Sequence, residues 1–383
     1  MGQIKVLQTN KLYYPVTGGI ERVVQQLAEG LSDKTDTTVL VCQKEGKTVH
    51  ENINGVPVIR CRTLCHISSL PISLAYVWCF KKEARKNDIV HIHMPFPLGD
   101  LACLLSGYKG KVVLWWHSDI VRQKRMMFFY RPLMNWLLRR ADVIVVATEG
   151  HINGSRYLKP YADKCVIIPY GVDGHIKKTA DDWLAKEKKK SEKECVRFLF
   201  VGRLVYYKGV KNLLEAYSEL VSKEPDLKEK MTLDIVGSGP LEKELHEYVR
   251  ETGLQDRIFF HTKVTDAQLV EFYKKCDVFV LPSQRRSEAF GLVQIEAMVF
   301  GKPVINTNLP SGVPYVSQDG VTGLTVEPSD IEGLAQALKK MTIDKDCRTR
   351  MGKAARQRVE KEYTMEKMLQ KTYDLYEKLV REG

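Results

Sequence analysis

Two successive series of short apolar runs leave this chain few architectures to choose from. The first series is "IKVLQTN", "TTVLVC", "DIVHIH", "KVVLWWH", "DVIVVAT" and "CVIIPYG"; the second is "VRFLFVGRL", "MTLDIVGSG", "RIFFHTKV", "DVFVLPS", "KPVINT" and "GLTVEP". Runs this short, rich in Val and Ile and separated by segments of helical spacing, read as strands of a mainly parallel sheet. After the first run, Ile20, Val23, Val24, Leu27, Ala28 and Leu31 recur at the spacing of one helix face. The chain therefore reads as α/β, built twice. Its 383 residues exceed the roughly 100 to 200 of one domain, in keeping with two cores.

The Lys-rich stretch "DDWLAKEKKKSEKE", residues 181–194, interrupts the strand series and is assigned as a linker region. It separates an N-terminal domain, 1–180, from a C-terminal domain, 195–362. In the last segment, 363–383, Met365, Met368, Leu369, Tyr373, Tyr376 and Leu379 lie near one face of a helix expected to pack back on the N-terminal domain. Open α/β sheets hold ligands beyond the carboxyl ends of their strands, so two such units are expected to form a cleft there.

Composition excludes several classes. No apolar run approaches the ~18 residues of a membrane span, and the N-terminus lacks the basic and apolar regions of a signal peptide. A cytoplasmic location is expected. The nine cysteines include no C-x-x-C pair, so reduced, mostly buried thiols are expected in place of a disulfide or zinc framework. Charge is lopsided: residues 1–180 carry 25 Lys or Arg against 14 Asp or Glu, net +11, whereas residues 181–383 carry 34 against 33. Such a surface suits nucleic acid or anionic lipid headgroups.

Several residues have chemistry that their neighbourhood makes useful. Gly18 and Gly19 in "TGGIER" precede a helix whose N–H groups suit a phosphate, although a tight turn without a ligand fits equally. In "VGRLVYYKG", a turn brings Arg203 and Lys208 over one diphosphate, or leaves both as solvated loop cations. His117 ends the strand "VLWWH", either as a hydrogen-bond partner or proton shuttle or as a core histidine. His91 and His93 carry the same ambiguity. The segment Phe290 to Phe300 reads as a buried helix, so Glu296 needs a hydrogen-bond partner. Glu288 lies eight positions earlier, about 12 Å away if the whole interval is helical.

Together these stretches resemble the GT-B fold retaining glycosyltransferases of family 4. The E-x7-E pattern in "EAFGLVQIE" carries most of the resemblance, supported by "GRLVYYKG", "TGGIERVV", "WHSDI", "IPYGVD" and "GVTGLTVEP" in the family's order. The resemblance implies two Rossmann-like domains facing each other across a central cleft, with acceptor bound by 1–180 and nucleotide sugar by 195–362. It implies that Glu288 contacts the donor sugar, beside a helix N-terminus made by Ala289, Phe290, Gly291 and Leu292. Glu296 takes the ribose, Arg203 and Lys208 the diphosphate with Gly18 and Gly19, and His117 the transferred sugar. It further implies hexosyl transfer with retention, without metal or other cofactor, the nucleotide-diphosphate sugar being a substrate. Tyr170, Tyr206 and Tyr207 depart from the residues usual in the family.

"WHSDIVRQK" and "NLPSGVPYV" look like stretches of mannosyltransferases that assemble bacterial surface polysaccharides, so GDP-mannose is expected before a UDP-sugar, with a saccharide or polyprenyl-diphosphate-linked acceptor. A sugar-nucleotide epimerase of similar architecture is the alternative enzyme. Nucleic-acid binding leaves Glu296 and the ordered motifs unused and is not expected. Residues 120–140 carry Arg122, Lys124, Arg125, Arg131, Arg139 and Arg140 with no acid, interleaved with Met126, Met127, Phe128, Phe129 and Trp136. That mixture suits peripheral attachment to the inner face of a membrane, or a helix whose apolar half packs in the core.

Overall fold

A computed structural model describes residues 2–16, 18–43, 45–67, 70–119, 124–186 and 195–382. The chain divides into two compact units, residues 1–169 with 366–383, and residues 170–365.

Unit 1 runs β1 (Ile4–Thr9), α1 (Gly19–Gly30), β2 (Thr35–Cys42), β3 (Val49–Ile53), β4 (Val56–Cys61), β5 (Cys65–Ile67), β6 (Leu70–Ile72), α2 (Leu74–Ala84), β7 (Ile89–Met94), α3 (Pro97–Ser106), β8 (Lys111–Trp116), α4 (Lys124–Arg140), β9 (Val143–Val146), α5 (Glu149–Gly154) and β10 (Cys165–Ile167). Its main sheet has the order β10-β9-β8-β7-β1-β2-β4-β3. Every pairing is parallel except β3 with β4, a hairpin closed by Asn54 and Gly55, both at positive φ. Asn-Gly is the dipeptide that tolerates such a turn best. The sequence reading passed over this hairpin and the short pair β5 and β6.

Unit 2 runs α6 (Gly174–Lys186), β11 (Val196–Val201), α7 (Val210–Lys223), β12 (Met231–Val236), α8 (Glu242–Glu251), β13 (Ile258–His261), α9 (Asp266–Lys275), β14 (Val278–Leu281), α10 (Leu292–Met298), β15 (Val304–Thr307), α11 (Val313–Val316), β16 (Gly323–Val326), α12 (Ile331–Ile343) and α13 (Lys345–Glu362). Its sheet is wholly parallel with the order β13-β12-β11-β14-β15-β16. That is the doubly wound order, in which the direction of winding reverses between β11 and β14. Helix α7 shows why these residues form such a layer: Val210, Leu213, Leu214, Tyr217 and Leu220 are buried at i, i+3, i+4 spacing. Fully burying each contributes about 1.5–3 kcal/mol.

The division between units falls at Pro169, not at residue 180. Helix α6 packs on unit 2: the Trp183 ring meets Phe300 at 5.9 Å, Lys302 Nζ lies 4.8 Å over Trp183, and Asp181 pairs with Arg356. The chain enters and leaves unit 2 side by side, with Val172 N–H donating to the Tyr363 carbonyl at 2.8 Å. Residues 187–194 of the expected linker lie outside the described residues. The last helix, α14 (Met365–Arg381), belongs to unit 1 almost entirely; Leu369 lies against Gly30, and Tyr376 O–H and His91 Nδ1 are 2.5 Å apart.

Residues 120–123, and the side chains of Lys124, Arg125 and Met126, lie outside the described set. In the rest of α4, Met134, Leu137 and Leu138 are core, whereas Phe128 and Phe129 are 78% and 81% exposed. The apolar half of α4 thus packs in the core as one of the two alternatives has it, and the opposite face leaves Phe128 and Phe129 uncovered. Among the described residues no helix is long and apolar enough to cross a membrane. All nine cysteines are free, and only Cys65 is fully exposed.

Candidate active site

In unit 2 the loops at the reversal point are fitted to one another by backbone contact. Gly209, at φ +71°, caps α7, and a Cβ there would stand 1.9 Å from the Pro282 carbonyl oxygen after β14. Gln284 N–H donates to the Tyr207 carbonyl at 2.8 Å, tying the same two loops. A Cβ on Gly237 would meet the Gly202 carbonyl at 2.0 Å, which draws the loop after β12 against them. Only glycine permits such approaches.

This packing brings together two residues 80 positions apart in the chain. Lys208 Nζ lies 2.5 Å from Glu288 Oε2, with only 14% and 11% of the side chains exposed, and Ser283 Oγ donates to the same oxygen at 3.2 Å. Taking either charge away would leave the other buried without its counter-ion, a cost of about 3–5 kcal/mol for a fully buried pair. Arg203, on the same loop as Lys208, is exposed.

The segment that follows differs from the continuous helix expected. Gly291 adopts the left-handed conformation as N-cap, so α10 opens at Leu292 and spans seven residues. Glu288, Ala289 and Phe290 are loop, and the estimate of about 12 Å between the glutamates, which assumed unbroken helix, does not apply. The loop is braced instead. Gly312 N–H donates to the Ala289 carbonyl at 2.7 Å, and the Phe290 ring sits edge-on to Tyr170 at 4.9 Å. Tyr170, one of the departures from the family pattern, thus supports the segment after Glu288. Glu296 has its partner: Tyr273 O–H donates to Oε2 at 2.7 Å.

A buried polar network behind this loop escaped the sequence reading. Asn306 Nδ2 donates to Gln294 Oε1 at 3.0 Å and to the Ser317 carbonyl at 3.2 Å, Thr325 Oγ1 donates to Asn306 Oδ1 at 2.7 Å, and Thr307 Oγ1 donates to the Ser283 carbonyl at 2.5 Å. The available signal was a polar residue inside each of two apolar runs, Gln294 in "LVQIEAM" and Asn306 in "VINT". Burial obliges such groups to bond, and Thr307, next to Asn306, ties the backbone at Ser283, just past β14.

In unit 1, Gly18 and Gly19 do open α1 after β1. A carboxylate oxygen of Glu21 lies 2.3 Å from where a Cβ of Gly18 would stand, while Gly19 has open space beside it. The chain's own carboxylate therefore occupies part of the position expected for an anion. His117 follows β8 within a ladder of stacked rings: His91 on His93 at 4.6 Å, and His93 on His117 at 5.2 Å, with His93 Nδ1 and His117 Nε2 2.9 Å apart. Burial lowers the His91 and His117 pKa to about 3 each, and holds His93 well below the usual histidine range with help from the two neighbouring rings. Burial thus favours the neutral imidazole at His117, which suits a hydrogen-bonding group better than a proton shuttle. His151, buried on α5 with Thr148 Oγ1 3.0 Å from Nδ1, falls to about 4 for the same reason.

Residues 141–358, more than half of the chain, match the family model of Glycosyl transferases group 1. The chain belongs to that family. Residues 17–174 match the model of Glycosyltransferase Family 4. This glycosyltransferase is 32% identical over 382 residues to an O-antigen chain mannosyltransferase C of Escherichia coli, covering 98% of this chain and 99% of that one. It is 33% identical to the D-rhamnosyltransferase WbpZ of Pseudomonas aeruginosa, covering 94% and 92%. Its fold matches that of the Anabaena protein HepE, solved in complex with UDP, with a TM-score of 0.76 at 17% identity, covering 98% of this chain and 100% of that one. The α/β, GT-B architecture expected from the sequence is the one found.

Proposed function

We propose that this glycosyltransferase moves a hexosyl group, mannosyl from GDP-mannose in preference to a UDP-linked sugar, to a saccharide or lipid-linked saccharide acceptor in surface-polysaccharide assembly. The observation that carries the reading is the Lys208–Glu288 pair at the reversal point of the unit 2 sheet. A diphosphate arriving there competes with Glu288 for the ammonium, and Arg203 adds a second cation. Glu288, relieved of the lysine, accepts hydrogen bonds from sugar hydroxyls beside Ala289, Phe290, Gly291 and Leu292. Glu296, steadied by Tyr273, takes the ribose. Gly18 and Gly19 are assigned to the diphosphate, and neutral His117 to a hydroxyl of the transferred sugar.

Transfer proceeds with retention and without a metal: the acceptor oxygen attacks the anomeric carbon on the face the diphosphate leaves, and a departing phosphate oxygen receives the acceptor proton. The name of the Escherichia coli relative, an O-antigen chain mannosyltransferase, supports a mannosyl group and polysaccharide assembly, and that of the Pseudomonas aeruginosa relative supports transfer of a related sugar. Attachment to the inner membrane face through residues 120–140 completes the reading.

Thermal-shift screening of nucleotide sugars identifies the donor, since a ligand bound to the folded state raises its apparent stability. Transfer is then assayed with and without EDTA, and the product anomer is read by NMR. Lys208→Ala and Glu288→Ala are each expected to slow transfer about 100-fold or more. Near-normal rates in either variant, or dependence on a divalent ion, would sink the corresponding assignment.

A further inference from the structure

We infer that His93 is a positioning residue for the transfer reaction: by one ring-to-ring hydrogen bond it fixes the tautomer of His117, so that His117 meets the transferred sugar as an Nδ1–H donor. Side chains alternate between the two faces of a strand. Val90, Ile92 and Met94 of β7, with Val112, Leu114 and Trp116 of β8, enter the core on one face. The other face of the same two strands carries His91, His93 and Trp115, and His117 continues the row one position past β8. Their rings stack with interplanar angles of 9° to 19°, and none of the four is more than 5% exposed. Both ends of the row are tied. Tyr376 on α14 and His91 share a hydrogen bond at 2.5 Å, and the His117 backbone N–H donates to the Met94 carbonyl at 3.1 Å. Rings held this way keep their nitrogens at fixed positions.

The protons available set the direction of that bond. Burial disfavours the charged form of both rings, so each carries a single N–H. His93 Nδ1 and His117 Nε2 lie 2.9 Å apart, with room for one hydrogen between them. The other nitrogen of His93, Nε2, is buried with no hydrogen-bond partner among the described residues. Were His117 the donor, the one proton of His93 would sit on Nε2 as a buried N–H with no acceptor. With His93 as donor, Nε2 is a bare acceptor, and folded proteins leave acceptors under-satisfied more readily than N–H groups. His93 therefore donates from Nδ1, His117 accepts at Nε2, and the proton of His117 stays on Nδ1. A neutral imidazole held in this tautomer gives a hydrogen bond to a sugar oxygen and takes no proton from it at that nitrogen. Its contribution is orientation of the sugar, and His93, only 1% exposed, acts through His117 alone.

The inference rests on the assignment of His117 to a hydroxyl of the transferred sugar. The full chain, labelled with ¹⁵N in histidine, is examined by long-range ¹H–¹⁵N NMR, in which a ring nitrogen bearing a proton and a bare one resonate far apart. The His117 signals are assigned by their loss in His117→Gln. Nδ1 of His117 is expected to be protonated and Nε2 bare. The opposite tautomer overturns the proposal, and this readout needs neither a substrate nor a His93 variant that folds. His93→Asn places an amide N–H close to where Nδ1 stands, whereas His93→Gln places it near Nε2. His93→Asn is expected to keep the His117 spectrum and His93→Gln to lose it. Transfer from GDP-mannose is expected to have a kcat/KM about tenfold lower in His93→Gln than in His93→Asn, the worth of one neutral hydrogen bond. Binding of GDP, which has no sugar for His117 to orient, is expected to be equal in the two by calorimetric titration. Equal transfer in the two variants, or a loss of GDP binding that matches the loss of transfer, overturns the proposal. Slowed transfer in His117→Gln beside equal transfer in the two His93 variants refutes the inference alone. Undiminished transfer in His117→Gln refutes the assignment of His117 and the inference with it. Failure of GDP-mannose to bind or react in the parent refutes the donor reading alone, and the parent spectrum still decides the tautomer.

Discussion

Acidification from pH 7 to pH 5 is expected to strip unit 1 of at least about 4 kcal/mol of stability. Four imidazoles carry the effect: His91, His93, His117 and His151, each at most 6% exposed. In the unfolded chain a histidine titrates near 6.5, whereas burial holds His91 and His117 at about 3 and His151 at about 4. The folded values are depressed, so protonation favours the unfolded chain. The stabilisation is present above 6.5 and is lost as pH falls below it. At pH 5 each unfolded imidazole has taken up nearly one proton that the folded one refuses, costing about 2 kcal/mol for each of His91, His117 and His151, or about 6 kcal/mol for the three, with His93 acting in the same direction. Asp100 works in the opposite direction. Burial raises its carboxyl to about 7, so the cost of its folded-state burial shrinks on acidification, returning about 2 kcal/mol over the same interval. A net loss of at least about 4 kcal/mol compares with about 5–15 kcal/mol for a typical domain. Urea titrations at stepped pH, followed by tryptophan fluorescence, measure it, because Trp78, Trp115, Trp116 and Trp136 lie in unit 1 and Trp183 in unit 2. Replacing one contributor, His151→Gln, is expected to reduce the slope below pH 6 by about 1.4 kcal/mol per pH unit. A midpoint that stays flat between pH 7 and 5 would refute the reasoning.

Other substitutions test separate parts of the structure. Asp100→Asn is expected to stabilise the protein at pH 8 by up to about 4 kcal/mol, fading by pH 4, when measured by denaturant midpoint. Gly209→Ala forces a Cβ onto the Pro282 carbonyl and a left-handed backbone onto alanine. It is expected to cost about 2–3 kcal/mol and to weaken nucleotide-sugar binding, checked by thermal unfolding and calorimetric titration. Tyr273→Phe removes a donor from buried Glu296 and is expected to cost about 1–2 kcal/mol, with unchanged stability counting against that hydrogen bond.

Much of the fold was legible because it rests on local periodicity. All six strands of the unit 2 sheet were marked by their apolar runs, and α14 by its stripe. The hairpin of β3 and β4 was not, since its strand "VHENI" is exposed along nearly its whole length and shows no alternation. The unit boundary was misplaced because a Lys-rich surface made α6 look solvated, while Trp183 and Asp181 held it to unit 2. Of the candidate site, the residue types and their order were legible, and the pairings were not.

The sequence by itself determined that the chain is α/β, doubled, and supplied with a lysine and two glutamates in a recognisable order, because strand length, helical spacing and motif order are properties of neighbours along the chain. Only the tertiary structure decided that Lys208 meets Glu288, that Glu296 leans on Tyr273, and that His117 is buried against His93. Each of these depends on groups brought together from distant positions and on the water their packing removes, and neither is written in the order of residues.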